Sequence, residues 1–321
     1  MKEKIKIGAI RWDAWVGDIN NVGLEVEKCL SNPKYSNRLP FYTKINDERR
    51  VEIRCTNKII IQKEIEYAKY ANIDYFAFCW YPFNSGLDTA RNLFLEVNKN
   101  QINWCIILGT NPFNEEDALW LIEQFNRNDY EKINNRPIVY IFNINDESAK
   151  IINFIRNNSK NYNPYFIGLV WNEEQAKKYT YMYTLDAVSQ YCTPGQNNLK
   201  YDIISNKEEK KWQKYSLINN VVSWVTTGWD KRPRYENPVS WEDCSKFNNE
   251  YIKSPTLKQL QNHLKNALFF QASNYKNGMV LLYAWNEFDE GGFIAPTISK
   301  NNVINTEKLD VIKKTINKYN N

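Results

Sequence analysis

Two glutamates three residues apart, Glu287 and Glu290, stand just past an unbroken apolar run, Met279 to Ala284, in the stretch GMVLLYAWNEFDEGGFIAP. Two carboxyl groups flanking one bond are what glycoside cleavage uses, one as acid and the other as base or nucleophile. If the backbone bends into a helical turn after the apolar run, residues three apart project together. Crowding two like charges raises the pKa of one of them, which suits a general acid at neutral pH. Asp13 and Asp230 are reserve carboxylates for the same work. The competing reading is a polar turn in which Asp289 or Glu290 caps a short helix that follows.

The apolar run has the pattern of a strand buried on both faces. Similar runs recur along the chain, at Lys4–Ile10, Asp74–Trp80, Asn103–Leu108, Pro137–Phe142, Tyr165–Val170, Asp186–Ser189 and Val221–Val225. Segments with helical apolar spacing lie between most of them, including Asn57–Ala71, Ala90–Asn98, Glu115–Gln124, Glu147–Asn157 and Thr256–Ser273. Shorter helices are expected near Gly23–Leu30, Glu174–Lys178 and Lys207–Tyr215. Repeated strand–helix alternation gives parallel strands with right-handed crossovers. Eight such units in 321 residues predict a (β/α)8 barrel, as one domain over residues 1–321 with long loops after the first and seventh strands. A doubly wound sheet would show a Gly-rich phosphate loop after an early strand, and none is present.

In a barrel the carboxyl ends of the strands share one rim, where chemistry is done. This rim would carry Trp12, Asp13, Trp80, Tyr81, Asn111, Asn143, Trp171, Tyr191, Trp229, Asp230, Trp285 and Asn286 beside the two glutamates. Aromatic faces stack on the C–H faces of sugars, while amides and acids bond hydroxyls. No cluster of cations accompanies them, whereas a phosphate or nucleotide site would want Arg, Lys or glycine-lined helix starts. Each Trp taken singly also fits as packing, so the argument rests on their repetition at one end of successive strands. For Asp230 the structural alternative is an ion pair with Arg232 or Arg234.

Composition narrows the rest. The single histidine, His263, excludes a Ser-His-Asp triad and a multi-His zinc site, and its helical context marks it as structural. Six cysteines without a CxxC pair support neither zinc nor a disulfide framework. Net charge is +5 with no long basic run, which argues against nucleic acid. No stretch approaches the length of a membrane span, and the chain enters a strand at once without an apolar leader. The expectation is therefore a cytoplasmic protein, a monomer or weak oligomer, that takes a glycan without cofactor or metal.

Three blocks carry a family resemblance. AWNEFDEGGFIAPT resembles the WNEW-x-EG segment of glycoside hydrolase family 99, the endo-α-mannosidases, and of the related WbsX proteins of polysaccharide gene clusters. TTGWDKRPRYENP, Thr226 to Pro238, resembles the GWDN-x-PR segment of the WbsX group, and YFAFCWYPFNSGLDTARNLFLE, Tyr75 to Glu96, an early strand and Leu-rich helix of the same proteins. The resemblance implies a (β/α)8 barrel and retaining hydrolysis of an α-linked glycan or surface polysaccharide, with a mannose-type sugar as the guess. It implies that Glu287 acts as base on the substrate 2-hydroxyl, that Glu290 acts as general acid, and that a 1,2-anhydro sugar forms between them. Phe288 stands where the family often has Trp, Asp289 where it often has His, and residues 16–54 do not match the family's usual substrate loop. Two other readings are a glycosyltransferase of polysaccharide assembly, against which the missing DxD motif counts, and a glycan-binding barrel without catalysis.

Overall fold

Among the described residues of the computed structural model (4–15, 21–45, 51–54, 57–246, 251–299 and 302–320), eight parallel strands run around one sheet. They are β1 (Lys6–Arg11), β2 (Tyr75–Cys79), β3 (Asn103–Leu108), β4 (Arg136–Ile141), β5 (Tyr165–Leu169), β6 (Ala187–Ser189), β7 (Asn220–Val221 continuing as Ser223–Thr226) and β8 (Met279–Tyr283). Each pairs with the next, and β8 pairs with β1 through Lys6↔Met279 to Ala9↔Leu282. The first part of β7 pairs with β6 and the second with β8, so this one strand joins the two edges and closes the barrel. Almost every strand residue is buried, because the inner face packs into the barrel and the outer face lies under helices. That double burial is why the strands read as continuous apolar runs.

Helices follow the strands on the outside: α1 (Asn21–Leu30) and α2 (Lys58–Tyr70) after β1, then α3 (Thr89–Val97), α4 (Glu115–Gln124), α5 (Asp146–Asn158), α6 (Glu173–Tyr183) and α7 (Tyr201–Tyr215). After β7 come the short α8 (Arg232–Glu236) and the long α9 (Leu257–Asn274), and after β8 comes α10 (Glu307–Asn320). Asn114, Asn145 and Asn172 cap α4, α5 and α6 by accepting a hydrogen bond from a backbone N–H of the first turn. The loops after β1 and β7 are long, as expected.

Several elements differ from the sequence reading. Helix α6 runs on to Tyr183, past a Tyr-rich stretch with no clean apolar period, and α7 starts at Tyr201 ahead of its expected start at Lys207. Helix α10 has no counterpart in that reading, although Leu309, Ile312 and Ile316 lie on one buried face. The segment after β8 is not a helix but a hairpin.

Candidate active site

Asn286–Glu287 pairs antiparallel with Gly292–Phe293, with Phe288 to Gly291 as the turn. The hairpin is fastened on every side. The Trp285 N–H donates to the Ile10 carbonyl of β1 at 2.7 Å, and Trp15 Nε1–H donates to the Asn286 carbonyl at 2.7 Å. Phe288 is buried between the rings of Trp15 and Phe293, at 5.4 and 5.1 Å. Alternation along the short strand then sends Asn286 and Glu287 to opposite sides. The hairpin brings Glu290 back to the same side as Glu287, so both line one cleft of ≈ 270 Å³ at the carboxyl ends of the strands. The expected convergence of the two glutamates is present, by a turn of a different kind.

The loop after β7 supplies the rest of the wall. Lys231, Arg234, Trp241 and Glu242 line the cleft together with Trp12, Phe142 and Tyr191, and Trp241 and Arg234 lie 6.3 and 5.5 Å from the Trp12 ring. Gly228 and Gly291 let the two loops touch: a Cβ on Gly228 would lie 2.2 Å from the Gly291 carbonyl oxygen, and Gly291 itself sits at φ +76°. That close approach presses two cations onto Glu290. Arg234 Nη1 donates to Glu290 Oε1 at 2.6 Å, Lys231 Nζ lies 3.0 Å from the same oxygen, and the Tyr283 hydroxyl donates to Oε2. Arg234 Nε also donates to Asp289 Oδ2 at 2.6 Å.

The two glutamates are consequently in opposite states. Burial pushes Glu290 up, but Lys231, Arg234 and the Tyr283 hydroxyl outweigh it and hold the carboxyl down at about 2. Glu287 is only 3% exposed; its Oε1 accepts from Tyr191 at 2.9 Å and its Oε2 has no hydrogen-bond partner among the described residues. Burial, then the charges of Glu290 and Asp289, push its pKa well above the ordinary carboxylate range. The surroundings thus favour the protonated form at Glu287 and the ionised form at Glu290.

Of the other residues read from sequence, the structure brings Trp12 and Tyr191 to this cleft. Tyr81 adjoins it, accepting a hydrogen bond from Trp12 Nε1–H. Trp229 stands behind Lys231, its ring 5.8 Å from Tyr283, and Trp171 stands behind Phe142 at 5.9 Å. Asp230 is clamped by Arg38 and by Arg232, whose Nη2 lies at 2.7 Å, so its ion pair is with Arg232 and not Arg234. Asp13, Trp285 and Asn286 form a buried layer beneath the cleft. Asn286 Oδ1 accepts from the Trp12 N–H at 2.9 Å, Asn286 Nδ2 donates to Asp13 at 3.2 Å, and Trp285 Nε1–H donates to Glu64 at 3.0 Å. Arg11 ties the layer together, bonding Asp13 at 2.9 Å and Glu64 at 2.8 Å. Trp80 is buried under Arg91 and Phe113, while Asn111 and Asn143 line a neighbouring cleft. His263 lies buried against Trp212 and Glu208, outside the cleft.

Sequence reasoning missed Lys231, Arg234, Tyr283, Trp241 and Glu64, and its rim without clustered cations is corrected by the first two. A signal existed in DKRPR: Lys231 and Arg234 are three apart at the start of a helix, the spacing of one face.

No protein-family model and no curated protein matches the chain. Solved structures do. The GH99 endo-α-mannosidase from Bacteroides thetaiotaomicron, in complex with Bis-Tris-propane, superposes with a TM-score of 0.65 at 14% identity, covering 98% of this chain and 97% of that one. A second structure of a GH99 endo-α-mannosidase from the same organism gives 0.63 at 13% identity over 89% and 84%. The chain therefore has the fold of these structures, a (β/α)8 barrel matched over nearly its whole length. Among the described residues no helix is long and apolar enough to cross a membrane.

Proposed function

We propose that this chain is a retaining glycoside hydrolase whose reacting pair is Glu287 and Glu290. The observation that carries the reading is one cleft at the strand carboxyl ends that holds two carboxyls whose surroundings push their pKa values apart, Glu287 up and Glu290 down. An acid–base cleavage needs that complement, since two charged or two neutral carboxyls could supply only half of it. The fold match to endo-α-mannosidase structures supports the same reading, and an α-linked, mannose-type glycan or surface polysaccharide is the proposed substrate.

In the proposed reaction the protonated glutamate gives its proton to the leaving glycosidic oxygen. The ionised one takes the proton of the sugar 2-hydroxyl, whose oxygen closes on the anomeric carbon. Water then opens the resulting 1,2-anhydro sugar as the two proton transfers run in reverse, and the configuration is retained. The resting charges favour Glu287 as acid and Glu290 as base. The family resemblance implies the other order, and that order stands as the second reading.

Two measurements separate these readings. Wild type, Glu287→Gln and Glu290→Gln are screened against α-mannans and bacterial surface polysaccharides. Release of reducing ends by wild type and loss in both variants is expected, and unchanged release in either variant removes that residue from the pair. An aryl glycoside with a good leaving group then regains turnover only in the variant that lacks the acid. Rescue of Glu287→Gln supports the resting order, and rescue of Glu290→Gln supports the order of the resemblance.

A further inference from the structure

A second cleft of ≈ 340 Å³ opens where β3 and β4 end, and Thr110 lines both it and the glutamate cleft. Its polar wall is Thr110, Asn111 and Asn143, each tied to the main chain by a donor. Thr110 Oγ1–H donates to the Trp80 carbonyl at 2.8 Å, Asn111 Nδ2 to the same carbonyl at 3.0 Å, and Asn143 Nδ2 to the Gly109 carbonyl at 3.3 Å. The backbone under them is fixed by unusual conformations. Gly109 sits at φ +89°, where a Cβ would lie 1.8 Å from the Phe142 carbonyl oxygen, and Asn143 sits at φ 48°, which Asn tolerates better than most residues.

Each anchored amide keeps its carbonyl oxygen and a second N–H, and Thr110 keeps its hydroxyl oxygen as an acceptor. Glu147 adds a carboxylate to the same wall. Such a wall offers donors and acceptors to a ligand rich in hydroxyls, and among the described residues no lysine or arginine lines it to hold phosphate, sulfate or carboxylate. Pro112, Phe113 and Ile151 line the same cleft with apolar surface fit for the C–H side of a sugar ring. The loop after β7 carries Trp241, 41% exposed, which lines the glutamate cleft beside Trp12.

We propose that the cleft at the ends of β3 and β4 is a separate subsite for a neutral, hydroxyl-rich sugar unit of the same chain whose linkage lies at Glu287 and Glu290. The proposal rests on the glycosidase reading and adds to it a preference for long neutral chains over short or anionic ones. The test uses Asn111→Ala and Asn143→Gly, alone and combined, because glycine keeps the positive φ at position 143. Thermal midpoints confirm folding. A glycan array carrying neutral and anionic oligosaccharides of graded length reads binding, and reducing-end release reads turnover.

Wild type is expected to retain long neutral glycans, and the double variant to lose about tenfold in that affinity, the effect of two lost hydrogen bonds. Its kcat/KM ratio for long over short chains should fall with it. Turnover by wild type with an unchanged length preference in the double variant overturns the subsite and leaves the glycosidase reading in place. Binding of long neutral glycans that depends on the two asparagines, without turnover, supports the subsite and overturns the glycosidase. Retention of anionic glycans alone, or of none, overturns the subsite whatever the turnover.

Discussion

Among the described residues Glu287 has one oxygen bonded to Tyr191 and the other without a hydrogen bond, whereas both oxygens of Glu290 are taken, by Arg234 and Lys231 on one side and Tyr283 on the other. This difference has a thermodynamic signature. The folded pKa of Glu287 lies well above its ordinary 4.5, so the folded protein holds a proton that the unfolded chain releases. Its favourable contribution is complete below the unfolded value and is lost as pH rises toward the folded one. Glu290 has the opposite sign: its contribution is present above the unfolded value and is lost as pH falls toward about 2. Glu287→Gln should therefore match wild-type stability near pH 4 and exceed it by a margin that grows by ~1.4 kcal/mol per pH unit until the folded pKa is reached. Thermal or urea unfolding across pH 4 to pH 9 measures the margin. A margin that stays flat with pH would mean that the proton is not on Glu287.

At the scale of elements, what could be read from the sequence depended on how locally each feature is encoded. The eight strands were legible because burial on both faces makes each one a continuous apolar run. The hairpin after β8 was not: FDEGG fits a helical turn or a tight reversal, and the choice is made by Trp15 and Ile10, which come from elsewhere in the chain. The cations on Glu290 were hidden for the same reason, since more than fifty residues separate Arg234 from Glu290 and only loop packing joins them. That packing turns on Gly291, where a Cβ would sit 3.1 Å from Arg38 Nη1 and 3.2 Å from the Asp230 backbone nitrogen, at a φ that L-residues resist. Gly291→Ala is expected to cost about 1–3 kcal/mol of stability. It should also move the acid limb of the kcat/KM profile to higher pH, because loosened loops withdraw Lys231 and Arg234 and let the Glu290 pKa rise. A stability loss with an unmoved limb would show that the loop contact does not set the charge of Glu290.

Across the whole molecule, the barrel separates what holds the fold from what faces the cleft. Tyr75 on β2 and Tyr140 on β4 are not neighbours in the sheet, yet their hydroxyls meet at 2.7 Å, so both rings cross the barrel interior. Both are fully buried and neither lines the glutamate cleft. Tyr75 has room because its partner across the ladder is Gly8, where a Cβ would lie 2.1 Å from the ring. Removing one hydroxyl strands the other in an apolar interior, which costs about 1–3 kcal/mol, whereas removing both leaves no orphan. Tyr75→Phe and Tyr140→Phe should each lower stability by that amount. The double variant should be less destabilised than the sum of the two, a coupling read from a double-mutant cycle in urea. The pH profile of turnover should stay where it is in all three variants, because none of them touches Lys231, Arg234 or Tyr191. Strict additivity would mean that the hydroxyls find other partners when separated, and a shifted pH profile would mean that the barrel interior couples to the glutamates in a way their hydrogen bonds do not contain.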